Sequence, residues 1–426
     1  MRRTFVSIAL GLALSALGSP GAQAVGPICD VPTATYPTIQ SAVDDPTCEV
    51  IIVAPGVYTE NVTIHRPVTI DGGGSGPGEA LSTVQSAAAD TPVFRIIAAT
   101  SPASRVNLLD LRATGASGVG GNPSSGVRVL LPTPGFLTFE HFESVMNLGS
   151  GIALDYPVGS SVSDIQVSDC ELSDNGNSGF RVPTTVTLSG LDISDCHLDD
   201  NNLEGLVMFG SLLDSSFTDS TFNRNGGSTT VSNAGQGISM HGFSGVANIV
   251  NNLTISDSEA NDNVGGHPTT NVSTGIQFAS RAGDSFMNIN ILNSEMSRNG
   301  RQGLRLERAG SGIISNVTVD RNNIERNGQD GISSFDAGVP PPTDIAINFN
   351  NITGNGVGIQ NSSSGAFNAE CNYWGHPTGP EAVDNPNGKG DAAVETPGDI
   401  DYRPWSPRRI GRGQNPEASC NRGDNP

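Results

Sequence analysis

"SDCELSDN" (Ser168–Asn175) is repeated almost unchanged as "SDCHLDDN" (Ser194–Asn201). When the chain is aligned on the final asparagine of this phrase, the asparagine recurs in steps of 26, 24, 38, 36, 28 and 28 residues. The seven positions are Asn175, Asn201, Asn225, Asn263, Asn299, Asn327 and Asn355. An apolar residue precedes each asparagine by three positions, as Leu172 and Leu198 do in the two quoted copies. The phrase therefore marks one unit of a repeat.

Each repeat contains short apolar runs that alternate with a period of two. In the first copy these are Ile165/Val167 before the phrase and Phe180/Val182 after it. Such runs are too short for helices and indicate three short strands separated by tight turns. Repeats of this size predict a solenoid, in which strands of successive rungs pair in parallel at about 4.8 Å per rung. Asparagine suits an inward bend because it tolerates left-handed geometry and its amide can bond the next rung.

A second column of small or polar residues lies two positions before the apolar residue of each repeat. Its members are Cys170, Cys196, Ser220, Ser258, Ser294, Asn322 and Asn350. The two cysteines of the quoted phrases therefore belong to a stacking column that other repeats fill with serine or asparagine.

The composition supports a chain of strands and turns. Glycine contributes 53 of the 426 residues, only 15% of residues are charged, and Lys389 is the one lysine. The net charge of −21 argues against nucleic acid and anionic membrane surfaces as partners, because both require a basic face. Neutral or cationic partners and divalent cations remain compatible with this charge.

Residues 1–24 are predicted to be an export signal. Arg2 and Arg3 precede an apolar run from Phe5 to Leu17, and Ala22–Ala24 supplies the small-x-small cleavage pattern. The paired arginines also match a twin-arginine signal loosely, but the short basic region favours the ordinary secretory route. No later segment is apolar enough to span a membrane. We therefore expect a soluble exported protein that is secreted, periplasmic or on the cell surface.

The two ends of the chain carry a family resemblance. The segment "YPTIQSAVDDPTCEVIIVAPGVYTENVTIHRPVTIDGGG" (Tyr36–Gly74) resembles the N-terminal segment of the exported right-handed parallel β-helix proteins of the pectin-lyase-like superfamily. "CNYWGHPTGP" (Cys371–Pro380) and "GDIDYRPWSP" (Gly398–Pro407) resemble the closing segment of many such proteins. The resemblance implies an all-β chain with an N-terminal cap and first strands at 25–75, parallel β-helix rungs at 76–370, and a C-terminal cap and tail at 371–426. In this interpretation a short helix caps the first rung, and Trp374 and Trp405 belong to the C-terminal cap.

Six cysteines in an exported chain suggest disulfides. The least strained assignment is local. It pairs Cys29 with Cys48, Cys170 with Cys196, and Cys371 with Cys420. Cys170 and Cys196 on adjacent rungs require a small adjustment to reach disulfide geometry, so a pair of stacked thiols is the alternative.

Two overlong turns suggest where function could lie. Gly226–Gly237 and Val264–Gly275 stand in adjacent repeats where other repeats have short turns. In this superfamily the working surface is usually the outer face of the strand after the variable turn, and insertions in a solenoid concentrate on its binding face. Neutral loop growth explains the turns equally well.

Alternation predicts which residues point outward beside these turns. The cluster comprises Ser239, His241, Gln277, Arg305 and Glu307, with Arg281 and Arg308 close in sequence and Phe209, Phe243 and Phe335 as stacking rings. These residues are candidates for binding a polysaccharide or cell-surface glycan. An ordinary solvated surface is the alternative interpretation.

The sequence lacks the catalytic signatures of the superfamily's polygalacturonase, pectin methylesterase and pectate lyase branches. We therefore expect a non-catalytic carbohydrate-binding or cell-surface structural protein, active as a monomer. The alternative is an enzyme in the groove around His241, Arg305 and Glu307: a polysaccharide lyase that uses His241 with Arg305, or a glycoside hydrolase that uses Glu307 with Asp284 or Asp336. A weaker alternative is a periplasmic metallocofactor-assembly factor, although clustered His or Met ligands are missing.

A column of aspartates precedes the cysteine and serine column. Asp169, Asp195, Asp219 and Asp257 would stack like charges, which Ca²⁺ could bridge. Hydrogen bonding of each aspartate within its own tight turn is the favoured alternative.

Overall fold

The structure, a computed structural model, describes residues 26–74, 81–119, 122–130, 133–182, 186–231, 234–242, 247–265, 273–336, 341–411 and 420. The predicted export signal and Phe243 lie outside the described residues, as do parts of the two long turns.

The chain winds through three strand positions per rung, which we call faces A, B and C. Face A is a 14-stranded parallel sheet in the described residues. Its strands are Ile28–Val31, Val50–Val53, Val68–Asp71, Val106–Leu109, Gly135–Glu140, Ser161–Ser168, Thr187–Ser194, Ser211–Thr218, Ile249–Ser256, Ser285–Leu292, Ile313–Asp320, Thr343–Asn348, Ala366–Asn368 and Asp399–Asp401.

Face C is a 12-stranded parallel sheet in the same part of the chain. Its strands are Val62–Ile64, Phe94–Ile96, Val127–Val129, Ile152–Leu154, Phe180–Val182, Leu206–Met208, Ile238–His241, Ile276–Ser280, Leu304–Arg308, Asp330–Asp336, Val357–Ser362 and Ala393–Glu395. Face B has strands Gly56–Thr59, Ser82–Gln85, Leu111–Thr114, Glu143–Val145, Asn323–Glu325 and Asn351–Thr353. Between Glu143 and Asn323, face B narrows to single bridges from rung to rung.

Every strand pair between rungs is parallel, and the inward side chains form one continuous apolar core. In the rung that contains the first quoted phrase, Ile165, Val167, Leu172, Phe180 and Val182 are all buried. This arrangement confirms the right-handed parallel β-helix predicted from the repeat.

The longest strands of face A share a bend near their N-terminal ends. The bending residues adopt left-handed backbone conformations and are Asp164, Gly190, Asp214, Asn252, Asn288, Asn316 and Asp344. Glycine, asparagine and aspartate tolerate this region best, which explains the composition of the column. The alternating apolar pattern of these strands in the sequence did not predict the bend.

The predicted asparagine ladder is present and is longer than the sequence suggested. It runs from Asn147 to Asn355, and in each rung the backbone N–H and the side-chain Nδ2 donate to the Oδ1 of the next rung. Asn175, for example, donates both bonds to Asn201 at 3.1 Å, and its Nδ2 also donates to the Ser144 carbonyl at 2.9 Å. The ladder satisfies buried polar groups that would otherwise be costly.

The cysteine and serine column forms a second ladder, which we call the bend ladder. Backbone N–H groups donate to the side-chain oxygen of the next rung from Cys196 to Ser220 at 3.1 Å and from Ser220 to Ser258 at 3.2 Å. The same pattern continues to Asn372, which the sequence alignment missed.

A short helix, Ile39–Asp44, closes the N-terminal end of the core with Ile39, Ala42 and Val43 buried. Glu60 accepts from the Ile39 and Gln40 N–H groups at 3.0 Å, and Arg66 donates to the Ala42, Val43 and Asp45 carbonyls. Both helix ends are therefore neutralised by side chains that follow the helix closely in sequence.

The C-terminal cap encloses Trp374 and Trp405, which are 0% and 4% exposed. Their burial confirms the cap interpretation. All three expected disulfides are present, with Cα–Cα distances of 5.6 Å for Cys29–Cys48, 4.5 Å for Cys170–Cys196 and 5.2 Å for Cys371–Cys420. The stacked-thiol alternative for Cys170 and Cys196 is therefore not what the structure contains.

Candidate functional site

The outward residues of face C fall into the two columns that the sequence predicted. Ser239 pairs with Gln277 and Gln277 with Arg305, while His241 pairs with Ala279 and Ala279 with Glu307. Phe335 follows Glu307 on the next rung. Parallel pairing in register therefore brings residues together that are 28 to 38 positions apart in sequence.

Three of the predicted binding residues are not on the surface. Ser239, Gln277 and Arg308 are 0%, 2% and 0% exposed. Gln236, from the first long turn, donates to Gln277 Oε1 at 3.2 Å, so turn residues pack over this column. Alternation gave the outward direction of Ser239 and Gln277 correctly, but it did not show that other residues cover them.

Glu307 is the centre of an ion cluster. Its Oε1 accepts from Arg281 Nη1 at 2.5 Å, and its Oε2 lies 2.8 Å from Arg305 Nη2. The carboxylate is 14% exposed, and the two guanidinium side chains are 30% and 20% exposed. Both carboxylate oxygens are thus held by cations, a geometry that fixes all three side chains.

The cluster controls the protonation of Glu307 and His241. Burial alone would raise the pKa of Glu307, but the Arg281 hydrogen bond and the Arg305 charge outweigh it and lower the pKa. Burial, reinforced by the charges of Arg281 and Arg305, lowers the pKa of His241 to about 4. At neutral pH the site therefore holds an ionised Glu307 and a neutral His241.

Two of the three predicted stacking rings, Phe209 and Phe335, lie in the described residues, and they differ in exposure. Phe209 is partly buried, with the Arg181 guanidinium 5.3 Å from its ring centre and the His241 ring centre 6.0 Å away. Its rung lies between those of Arg181 and His241, so both neighbouring rungs supply groups that contact it. Phe335 is 50% exposed and is the available ring beside the ion cluster.

The sequence interpretation missed a polar column immediately before the glycine of each face C strand. Glu204 is buried and accepts from Ser178 Oγ at 2.9 Å, and Gln302 lies 3.5 Å from Asp330 Oδ2. Burial raises the pKa of both Glu204 and Asp330. The sequence contains the pattern that would have predicted this column, namely a polar residue that recurs directly before the glycine of each repeat.

The four aspartates suggested as calcium ligands are exposed and adopt left-handed conformations with φ between 48° and 53°. Aspartate favours such bends for local reasons. Among the described residues, no group of three or more His, Cys, Asp or Glu side chains is arranged to hold a metal ion.

No helix in the described ranges is both long enough and apolar enough to cross a membrane.

No protein-family model and no curated protein matches the chain. Among solved structures, the catalytic domain of a GH87 alpha-1,3-glucanase variant in complex with nigerose aligns with 93% of this chain and 70% of its own, at 13% identity and a TM-score of 0.44. The enzymatically active domain of tailspike protein 2 of bacteriophage CBA120 covers 85% of this chain and 48% of its own, at 13% identity and a TM-score of 0.44. ORF18 of Geobacillus virus E2 covers 84% of this chain and 52% of its own, at 14% identity and a TM-score of 0.32.

The chain spans about half the length of the two phage proteins. At these identities the similarities concern the fold and carry nothing about activity. The pairing of the chain's own strands, together with its sequence resemblance, identifies the fold as the right-handed parallel β-helix of the pectin-lyase-like type.

Proposed function

We propose that this chain is an exported polysaccharide-binding protein that holds its ligand on the outer side of face C without cleaving it. The observation that carries the proposal is the exposed ring of Phe335 beside the clamped Arg281–Glu307–Arg305 cluster. A sugar ring offers an apolar face and a rim of hydroxyl groups, and this surface offers a partner for each.

The rigidity of the surface supports binding. Arg305, Glu307 and Phe335 stand on strands that pair in register, and Glu307 fixes both guanidinium groups. Groups fixed in advance lose little conformational entropy when a ligand arrives. The half-exposed Phe335 would cover the apolar side of one sugar unit, and Arg305 and His241 would bond hydroxyl groups.

The positions of Glu204 and Asp330, two carboxyl groups whose pKa burial raises, argue against either of them acting with Glu307 in glycoside hydrolysis. Glycosidases need two carboxylates about 5–9.5 Å apart, one of them protonated. Glu204 precedes a strand three rungs from that of Glu307, a separation of about 14 Å along the stack. Asp330 lies on the rung next to Glu307 but about 16 Å away along the strand direction. Glu307 itself is ionised and has both oxygens occupied.

The lowered pKa of His241 argues against a lyase mechanism at this site. A general base works best when its pKa lies near the operating pH. With a pKa of about 4, His241 is neutral but accepts a proton only weakly. Arg281 and Arg305 would suit a substrate carboxylate, but the charge of Glu307 already compensates part of their positive charge.

Three disulfides support an exported location, because disulfides form and persist in oxidising compartments. Nothing in the described residues favours the metallocofactor-assembly alternative.

The test is retention of the purified protein on a panel of immobilised neutral and acidic polysaccharides. We expect retention on at least one glycan, with a loss of about tenfold or more in affinity for Phe335→Ala and Arg305→Ala. Arg298→Ala is the matched control, because Arg298 is an exposed arginine paired with Asp262 at a bend away from face C. Retention that both face C variants leave unchanged would refute the proposed surface.

The same panel tests the catalytic alternative. Accumulation of new reducing ends or unsaturated uronates that disappears in His241→Ala or Glu307→Ala would show that the site is an enzyme. We expect neither product.

A further inference from the structure

The asparagine ladder contains a chemical weakness at one end. Six Asn-Gly pairs occur in the sequence, and five of them place a ladder asparagine before glycine. The five ladder asparagines are Asn175, Asn225, Asn299, Asn327 and Asn355, and the sixth pair is Asn387-Gly388. Asn-Gly is the dipeptide in which the backbone nitrogen reaches the side-chain amide carbon most easily, because glycine has no side chain to obstruct the approach.

The four interior pairs are protected. The glycine N–H that would have to attack is donated to a carbonyl of the preceding rung in each case, for example from Gly176 to Asn147 at 2.7 Å and from Gly328 to Asn299 at 2.9 Å. Gly226 and Gly300 make the equivalent bonds. The four asparagine side chains are at most 2% exposed, and each Nδ2 donates to the ladder.

Asn355 differs from these four asparagines in its burial, in the hydrogen bonding of the glycine that follows it and in the group to which it donates. It is only partly buried, the following Gly356 is exposed, and no acceptor for the Gly356 N–H lies among the described residues. Asn355 is also the last asparagine of the ladder. Its N–H and Nδ2 donate to Asp391 Oδ2 at 2.8 and 2.9 Å rather than to another amide.

We propose that Asn355 is the ladder's site of spontaneous deamidation in the folded protein, and that its modification weakens the junction between the last rungs and the C-terminal cap. The Gly356 nitrogen forms a bond to the Asn355 side-chain carbon and loses its proton, while the bond from that carbon to Nδ2 breaks and ammonia leaves. Water then opens the cyclic imide to aspartate or to isoaspartate. No oxidant or cofactor is required.

The consequence follows from what Asn355 contacts. Its Nδ2 lies between Asp391 Oδ2 and the Ile324 carbonyl, both of which are acceptors. Replacing that donor by a carboxylate oxygen sets like charges against each other at position 355 and Asp391. Asp391 also accepts from the Gly354 N–H at 2.8 Å, so the repulsion acts on the group that ends the ladder.

The experiment is a time course of the full-length folded protein in mildly alkaline buffer, followed by peptide mapping with mass spectrometry. Asn387 is exposed, and its Gly388 N–H is donated to the Asn385 carbonyl at 3.0 Å, so it serves as an internal reference for an exposed Asn-Gly pair whose glycine N–H is engaged. We expect deamidation at Asn355 at least about tenfold faster than at Asn175, Asn225, Asn299 or Asn327, because those sites react only after local opening. Equal rates at Asn355 and the four interior sites would overturn the proposal, as would an unmodified Asn355 after Asn387 has converted.

A second measurement tests the structural consequence. Asn355→Asp should melt at a lower temperature than the wild-type protein at neutral pH, and the difference should shrink in acid, where a shared proton relieves the repulsion. Asn387→Asp should melt like the wild type. An unchanged melting temperature for Asn355→Asp at neutral pH would remove the proposed effect on the cap.

Discussion

Asp391 ends the asparagine ladder, because its carboxylate accepts the hydrogen bonds that Asn355 donates. Its two carboxylate oxygens accept three hydrogen bonds, from the Gly354 N–H, the Asn355 N–H and Asn355 Nδ2, all between 2.8 and 2.9 Å. Every interior ladder asparagine accepts hydrogen bonds from one neighbouring rung and donates hydrogen bonds to the other. The group at the end of the ladder needs only to accept hydrogen bonds. A carboxylate meets that requirement, and burial raises its pKa despite these bonds.

Asp391→Ala should therefore destabilise the C-terminal rungs by about 2 kcal/mol, because three donors lose their acceptor. Asp391→Asn keeps one acceptor oxygen and removes a partly buried charge, so we expect a smaller loss. Urea denaturation monitored by circular dichroism measures both. Equal losses in the two variants would contradict the acceptor argument.

Substitution of an interior ladder asparagine should destabilise the protein more than substitution of Asp391. Asn263→Ala leaves the Asn225 N–H and Nδ2 without their shared acceptor in a buried place, at a cost of about 3 kcal/mol. Asn387→Ala, at an exposed position in the C-terminal cap, should cost less than about 0.5 kcal/mol. Denaturant midpoints compare the two, and similar midpoints would show that the ladder contributes little.

The bend ladder predicts the best replacement for the Cys170–Cys196 disulfide. Ser220 shows that a serine oxygen in this column accepts the N–H of the preceding rung. Cys170→Ser/Cys196→Ser should therefore be more stable than Cys170→Ala/Cys196→Ala by about 1 kcal/mol, since a hydroxyl oxygen at position 196 would accept the backbone N–H of position 170. Thermal melts of the two double variants test this, and a more stable alanine pair would contradict it.

His241 should make stability depend on pH. Its pKa is lowered from 6.5 to about 4 in the folded protein, so the unfolded chain binds a proton at a higher pH than the folded one. Stability from this group is complete above pH 6.5 and falls as the pH drops towards 4, by at most about 3 kcal/mol. His241→Gln should flatten the pH dependence between 6.5 and 4.5, above the range in which Glu307 titrates.

Urea titrations of the wild type and His241→Gln at several pH values in this window provide the measurement. Parallel curves for the two proteins would show that His241 is not enclosed as the structure has it.

The spacing of Asn175 and its six equivalents, together with the alternating apolar pairs, determined the fold from sequence alone. The local sequence pattern was sufficient to predict the fold, because every rung repeats the same inward bend and the same apolar alternation. The structure of one rung therefore predicts that of its neighbours. The bend ladder followed from the same repeat, the N-terminal helix from the family resemblance, and the three disulfide pairings from assigning each cysteine to its least strained local partner.

Tertiary structure decided which outward residues are accessible. Alternation assigns a direction to Ser239, Gln277 and Glu307. In the structure Ser239 and Gln277 are buried, with Gln236 of the first long turn bonded to Gln277, while two arginines hold the Glu307 carboxylate. It also decided that Asp391, distant from any repeat copy, ends the asparagine ladder. The physical reason is that direction is a property of the strand itself, whereas burial, ion pairing and the end of a ladder depend on which segment packs against it.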